Sequence, residues 1–262
     1  MNDIIFSFEN IERLLAQYFF PFSRIAAVVM SMSIIGNRTI PAQIKLLLAL
    51  TLTIVSAPFV EIIPDVSLLS LSSALIIIEQ IIIGVGIGFI TKLLFETFIL
   101  GAQIIAMQTG LGFASMIDPT NGLQVPVLSQ FYLLLVTLMF LAIDGHLVVI
   151  ELMINSLNTL PIGESIFQLR SLKIIVDWTS IMFAAALMMC LAAVLSLLMI
   201  NLAFGVITRA APQLNIFVIG FPMTLLAGLL IVWITLEGFS FHFEQQTLRA
   251  THVMCLFINK AC

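Results

Sequence analysis

The stretch that runs from residue 178 to residue 208 reads WTSIMFAAALMMCLAAVLSLLMINLAFGVIT, 31 residues without a charged side chain. A helix needs only about 20 apolar residues to cross the hydrocarbon core of a membrane. A strand of a membrane barrel would alternate polar and apolar residues, and the run AAALMM at 184–189 does not alternate. The stretch therefore predicts a long membrane helix.

The composition of the whole chain supports the same class. Of its 262 residues, 61% are hydrophobic and 9% are charged, and the mean hydropathy is +1.19. Such a chain has too little polar surface to coat a water-soluble globule. The net charge is −4 and the basic residues are scattered, so the chain lacks the basic patch that nucleic-acid binding needs. We predict an integral membrane protein that binds no nucleic acid.

Five or six apolar stretches qualify as membrane helices. They cover residues 14–35, 44–60, 68–89, 125–143, 174–207 and 215–236, with Gly, Pro, Asn or Asp between them. The last two flank residues 209–213 and predict a helical hairpin with a tight turn there. The predicted fold class is an all-α, polytopic integral membrane protein of long helices and helical hairpins.

The basic residues do not fix an orientation. Suppose that the loop with Arg38 and Lys45 is cytoplasmic and that six helices alternate. The positive-inside rule then gives no majority, because four basic residues fall outside: Arg170, Lys173, Arg249 and Lys260. Either some helices do not cross fully, or partner subunits hold the chain in place of lipid.

Charged residues inside the apolar runs lead to a similar expectation. A charge at the bilayer centre costs about 3 kcal/mol on insertion scales. The residues in question are Arg24, Glu79, Lys92, Glu96 and Asp177. We predict that Arg24 is buried against protein, and the alternative is that Arg24 and Lys92 extend to the headgroups.

The sequence Gly84-Val-Gly-Ile-Gly88 predicts close helix packing. Gly84 and Gly88 are four residues apart, a spacing that lets two helix backbones approach closely in a membrane. The motif leaves open whether the partner helix belongs to this chain or to another subunit.

Residues 103–122 read QIIAMQTGLGFASMIDPTNG and interrupt the lipid-like pattern. Gly110 and Gly112 permit backbone conformations closed to other residues, and the dipeptides at 118–119 and 121–122 favour turns. Hydrocarbon tolerates irregular backbone only where protein or water covers it. The segment is interpreted either as a loop that closes a narrow pore with Phe113 and Met116, or as a re-entrant connector packed between helices.

Motifs of known catalysis are missing from the sequence. The histidines His146, His242 and His252 are far apart, and no Gly-x-Ser-x-Gly, His-Glu-x-x-His or Walker pattern occurs. Asp144-Gly-His146 ends an apolar run and is interpreted as a turn. We predict no enzyme, no cofactor and no metal site.

Motifs along nearly the whole chain resemble one family. They are Arg24, RTIP at 38–41 with Lys45, residues 101–122 continued through Val125-Pro126, FLAIDGH at 140–146, Leu160-Pro161 with Gly163, and RAAPQLNIF at 209–217 with Gly220 and Pro222. Together they resemble the FliR family, the R subunits of the type III export gate. FASMIDP at 113–119 and IDGH at 143–146 are more similar to the flagellar branch than to the virulence-secretion branch.

The resemblance implies a structural and gating subunit of the flagellar protein export channel, in the bacterial inner membrane at the flagellar basal body. Its partners would be the export-gate P and Q subunits and the switch protein FlhB, with exported flagellar proteins as transported substrates. Residues 1–173 would form a helical part similar to the P subunit, and residues 174–262 a helical hairpin similar to the Q subunit. The tail, residues 251–262, takes no role from the resemblance.

The motif match also assigns residues to roles. The plug of the pore would comprise Gly110, Gly112, Phe113, Met116, Asp118 and Pro119. Helix packing and assembly would depend on Arg24, Pro41, Pro212, Asn215 and Gly220 by the motif match, and on Gly84 and Gly88 by their spacing. The competing hypothesis is a conventional secondary transporter with a midplane polar site among Glu79, Lys92, Glu96 and Asp144, although the inverted repeats common in that class are not evident.

Overall fold

The computed structural model describes residues 8–60, 64, 66, 67, 70–113, 115–117, 124–163, 169–210 and 220–260. The α-helices of this part of the chain are α1 Phe8–Ser31, α2 Ala42–Ser56, α3 Leu71–Thr109, α4 Val127–Ala142, α5 Gly145–Thr159, α6 Leu169–Ala210, α7 Phe221–Thr235 and α8 Phe239–Phe257. Single turns of 3-10 helix lie at Ala57–Phe59, Leu111–Phe113 and Leu236–Gly238.

The predicted all-α membrane class is confirmed. Within the described residues, five helical stretches are long and apolar enough to cross a membrane. Helices α4 and α5 meet at a short break with a bend of 66°, and they would give a sixth span if the bent pair crosses as one. A helix satisfies its own backbone hydrogen bonds, which is what a chain this apolar needs in lipid.

Helix α3 extends far beyond the predicted span 68–89. It continues to Thr109, since residues 90–109 contain no proline and their apolar side chains continue the run. The first seven residues of the segment 103–122 are therefore helical, and the prediction that irregular backbone starts at Gln103 was wrong.

Among the described residues, two helices and one pair of strands were not predicted. Helices α5 and α8 carry polar residues, such as Asn155 and Glu244, that hid them from a search for apolar runs. Strands β1 Ser115–Ile117 and β2 Gln124–Pro126 pair antiparallel, with Met116 opposite Val125. Three-residue strands are too short to show an alternation in the sequence.

The turn predicted at Asp144-Gly-His146 is confirmed as the break between α4 and α5. Asp144 has φ 56° and ψ 25°, the left-handed conformation, and directly precedes α5. Its carbonyl oxygen accepts hydrogen bonds from the Leu147 and Val148 amides at 2.9 and 3.3 Å. Aspartate tolerates this conformation better than most residues with a Cβ.

The described chain packs as two compact units. The first comprises residues 1–92, 144–178 and 250–262, and the second comprises residues 93–143 and 179–249. The predicted division at residue 173 rests on resemblance to two other subunits, which is a different criterion, and it stays a prediction.

Aromatic side chains hold the interior of the second unit. The ring of Phe98 lies 5.2 Å from Phe239 and 5.8 Å from Phe243, and Tyr132 lies 5.2 Å from Phe239. These contacts join α3, α4 and α8 through tilted and edge-to-face pairs, the arrangements that aromatic rings favour.

Candidate functional site

Residues 110–126, which we call the central segment, begin directly after α3. Gly110 has φ +81°, the conformation that commonly terminates a helix and that glycine adopts without steric cost. The hydroxyl of Thr109, which is fully buried, donates to the Ala106 carbonyl at 3.0 Å and accepts from the Leu111 amide at 3.3 Å. The end of α3 is thus fixed by backbone conformation and by a side chain.

Helix α7 packs directly against this end of α3. A Cβ atom on Gly110 would lie 3.0 Å from Cε2 of Phe221, and a Cβ on Gly228 would lie 2.7 Å from Cβ of Thr109. The distance at Gly228 is tighter than carbon atoms accept, so this glycine is needed for the approach, and at Gly110 the Phe221 ring leaves little room for a side chain. The start of the central segment is therefore packed against α7.

Beyond Gly110 the backbone forms the turn Leu111–Phe113 and then the pair β1 and β2. The register is Ser115 with Pro126, Met116 with Val125 and Ile117 with Gln124. Two predicted plug residues, Asp118 and Pro119, lie between the strands and outside the described residues. The four others, Gly110, Gly112, Phe113 and Met116, follow one another along this short folded stretch.

A second polar arrangement lies in the first unit, around Arg24. The sequence predicts that Arg24 lies against protein, and its side chain has 0% exposed surface. Its Nε donates to Oε1 of Gln80 at 2.7 Å, and its Nη2 donates to the Leu160 carbonyl at 2.8 Å. Its Nη1 donates to the carbonyl oxygen of Ser156, with the Ser156 hydroxyl at 3.3 Å.

The acceptors explain how a guanidinium is accommodated at this place. Ser156 lies in the last turn of α5, where its carbonyl also accepts from the Leu160 amide at 3.0 Å, and Leu160 directly follows the helix. The helix dipole is negative at this end, which favours a cation there. Arg24 therefore caps the C-terminal end of α5 and joins it to α1 and α3. We call Arg24, Gln80, Ser156 and Leu160 the Arg24 cluster.

The glycine motif of α3 lies against α1 of the same chain. A Cβ on Gly84 would meet the Arg24 carbonyl oxygen and would lie 2.7 Å from Cβ of Ala27. A Cβ on Gly88 would meet Oγ of Ser31 and would lie 2.8 Å from its Cβ. The structure thus gives the partner helix that the motif left open, and it brings Gly84 and Gly88 next to Arg24.

The remaining predicted assembly residues lie elsewhere. Pro41 is the residue before α2, and its carbonyl accepts from the Ile44 amide at 3.1 Å. Gly220 is buried directly before α7 with ordinary helical angles, φ −62° and ψ −47°. Pro212 and Asn215 lie outside the described residues.

The polar residues of the competing transporter hypothesis form no comparable cluster in what the structure describes. The side chains of Lys92 and Asp144 are exposed, and those of Glu79 and Glu96 are half-buried. The densest polar contacts among the described residues are those of Arg24.

Sequence analysis missed several residues that build these sites. Gln80 and Ser156 each follow another polar residue, Glu79 and Asn155, in a helix with many apolar residues, and no local pattern pairs them with Arg24. No packing role was predicted for Gly86, which lies between Gly84 and Gly88. Its position about 200° around the helix from Gly84 already indicates a second packed face. Phe221 and Gly228 could have been found only by knowing that α7 returns to the end of α3.

Comparisons with known proteins give the family. A family model described as "Bacterial export proteins, family 1" matches residues 15–250. The flagellar biosynthetic protein FliR of Escherichia coli K12 is 37% identical over 212 residues, which is 81% of each chain. The proteins of the same name from Pectobacterium carotovorum and Aquifex aeolicus are 35% and 30% identical over 84% and 89% of each chain.

Proposed function

This chain belongs to the FliR family of bacterial export proteins and is a component of the flagellar export apparatus, and on that premise we propose that it is a structural and gating subunit of the flagellar type III protein export channel. In this proposal the central segment, residues 110–126, closes the pore as a plug. The partners are the export-gate P and Q subunits and the switch protein FlhB, at the basal body in the inner membrane, and the substrates are exported flagellar proteins. Residues 1–173 correspond to the P subunit and residues 174–262 to the Q subunit.

The end of α3 is the observation that carries the plug assignment. A helix long enough to cross a membrane ends at Thr109, and beyond Gly110 the chain continues as a single 3-10 turn and a short strand. Its start packs against α7 through Thr109 and Gly110. Lipid cannot satisfy the free backbone groups of such a segment, so protein or a water-filled path must cover it. A segment held firmly at its base and folded back through β1 and β2 suits a part that blocks a pore and returns to one closed position.

The competing interpretation of the same segment is a packed connector without a gating role. In both interpretations Phe113 and Met116 are bulky apolar side chains on a folded stretch. They differ in what removal of these side chains does to a fully assembled channel, because a hydrophobic constriction excludes water and ions only while its apolar groups fill it.

The test is Phe113→Ala combined with Met116→Ala in cells that assemble the gate but contain no exported substrate. We expect small ions or dyes to cross the membrane, while the complex is recovered in normal amount and protein export is kept or only partly reduced. Met107→Ala is the matched control, since Met107 lies on α3 before the segment and is 75% exposed. It should leave the membrane tight.

Membrane conductance and complex yield are measured together in the same cells. A packed connector would lose assembly and export together and would cause no leak. A double variant that assembles in normal amount and stays tight contradicts the plug assignment, while the family and the role in export stand.

A further inference from the structure

The end of helix α8 belongs to the first unit, although it lies far in the sequence from the other segments of that unit. Residues 250–260 pack there, whereas the preceding residues 179–249 belong to the second unit. Met254 and Phe257 are 3% and 5% exposed, and Ile258 is fully buried. These residues take no role from the family resemblance, and the family match ends at residue 250.

Phe257 packs on the face of α3 that lies opposite α1. A Cβ on Gly86 would lie 2.5 Å from Cζ and 3.0 Å from Cε1 of the Phe257 ring. Gly84 and Gly88 contact α1, and Gly86 is rotated by about 200° around the helix from Gly84. Helix α3 is therefore held between α1 on one face and the ring of Phe257 on the other.

The same residues connect to the Arg24 cluster. Phe257 and Leu160 line one small apolar cavity together with Ile82, Ile83 and residues of α6. The carbonyl of Leu160 is a hydrogen-bond acceptor of Arg24. Phe257 thus packs beside the residue whose backbone Arg24 holds, and its removal would open space next to the cluster.

The end of α8 has a defined structure of its own. Asn259 has φ 55°, its amide donates to the Leu256 carbonyl at 3.3 Å, and the Lys260 amide donates to the Cys255 carbonyl at 2.9 Å. This is the Schellman pattern that closes a helix. Lys260 also approaches Glu151 of α5 at 3.7 Å, but both side chains are partly exposed, so this pair contributes little.

From these contacts we infer that residues 250–260 are a closing strap, which locks α3 against α1 and completes the interior of the first unit. The strap follows the whole second unit in the sequence, so it is synthesised after that unit. Domains generally fold as their residues emerge, N-terminal first. The first unit cannot follow this rule, and its packing around Arg24 closes only after the second unit has been made.

The test uses the full chain purified in detergent, with Val28→Cys as a reporter in the first unit and the native Cys190 as a reporter in the second. Both side chains are buried, at 1% and 2% exposure. Alkylation by a small neutral maleimide is followed by mass spectrometry at each cysteine. Three variants are compared in this background: Phe257→Ala, the conservative Phe257→Leu, and Leu256→Ala, whose side chain is 44% exposed.

We expect Phe257→Ala to raise the alkylation rate of the Val28→Cys reporter by about tenfold or more, because a core ring is lost and the unit opens locally. The rate at Cys190 should stay unchanged, Phe257→Leu should give a smaller rise, and Leu256→Ala none. An unchanged Val28→Cys rate in Phe257→Ala overturns the strap. An equal rise at Cys190 also overturns it, since the loss would then be global unfolding.

Discussion

At the residue scale, Arg24 shows how far sequence reasoning reaches. The cost of a charge in an apolar run predicted that Arg24 is covered by protein, and that part needed only the chemistry of the side chain and the bilayer. Its partners could not be predicted, because two of them are backbone carbonyls at the end of α5, more than 130 residues away. Any sequence that ends a helix there would offer the same oxygens.

The hydrogen bond between Gln80 and Arg24 leads to different expected stabilities for two substitutions of Gln80. Oε1 of Gln80 accepts from Arg24, whereas its buried Nε2 has no partner among the described residues. Gln80→Glu keeps the acceptor, turns the charge-assisted bond into an ion pair and removes the orphan donor, so stability should be equal or higher. Gln80→Leu leaves Nε of Arg24 without an acceptor and should lower the free energy of unfolding by about 1–3 kcal/mol.

Denaturation of the two purified variants in the same detergent checks this expectation. Arg24→Met serves as the reference for loss of the whole cluster and should impair recovery of the assembled complex as well. If Gln80→Leu and Gln80→Glu unfold alike, the bond to Gln80 does not hold the cluster.

At the element scale, helix α3 was predicted in kind but not in length or in all its neighbours. The spacing of Gly84 and Gly88 indicated that two helices cross closely there, because a Cβ atom does not fit between helix backbones that are in contact. The identity of the crossing helix depended on the tertiary path of the chain. The same holds for Gly110: its freedom to adopt unusual backbone conformations was predicted, while its place directly after α3 and its contact with Phe221 of α7 were not.

Two glycines in membrane helices should respond in opposite directions to alanine. Gly84→Ala places a Cβ against the Arg24 carbonyl and Ala27, and overpacking of this kind typically costs about 1–3 kcal/mol. Gly205 lies in α6, where a Cβ would meet no atom of the described residues within 4 Å apart from the adjoining helix backbone. Gly205→Ala should therefore stabilise the isolated chain by about 0.5–1 kcal/mol through helix propensity.

Unfolding of both alanine variants is measured on the isolated chain, so that no other subunit contributes. A Gly84→Ala variant as stable as Gly205→Ala would show that α1 and α3 do not approach as closely as the glycines indicate. Complex recovery for Gly205→Ala then gives separate information, because a partner helix on that face would feel the added methyl group.

At the scale of the whole molecule, contacts between distant segments and with other molecules explain two findings. The positive-inside rule gives no orientation, and each unit is built from several separate segments. A chain whose first unit draws on residues 1–92, 144–178 and 250–262 is held together by contacts between distant segments. Many of its large apolar side chains are exposed, among them Leu71 at 80% and Trp233 at 74%. Lipid or partner subunits must cover such surfaces, and the positive-inside rule was derived for helices that cross as independent spans.

Deletion of the gene tests the function of the molecule as a whole. If the chain is an obligatory subunit of the flagellar export channel, the deletion strain should lack filaments and should no longer secrete hook and filament proteins, because the channel cannot be built without it. General secretion should continue, and a plasmid copy of the wild-type gene should restore motility, whereas a copy with Arg24→Ala should restore it poorly. A conventional transporter would behave differently: its loss would change uptake or efflux of a small solute and leave flagellar assembly intact. Swarming, filament staining and immunoblots of culture supernatants distinguish these results, and normal motility in the deletion strain contradicts the export function.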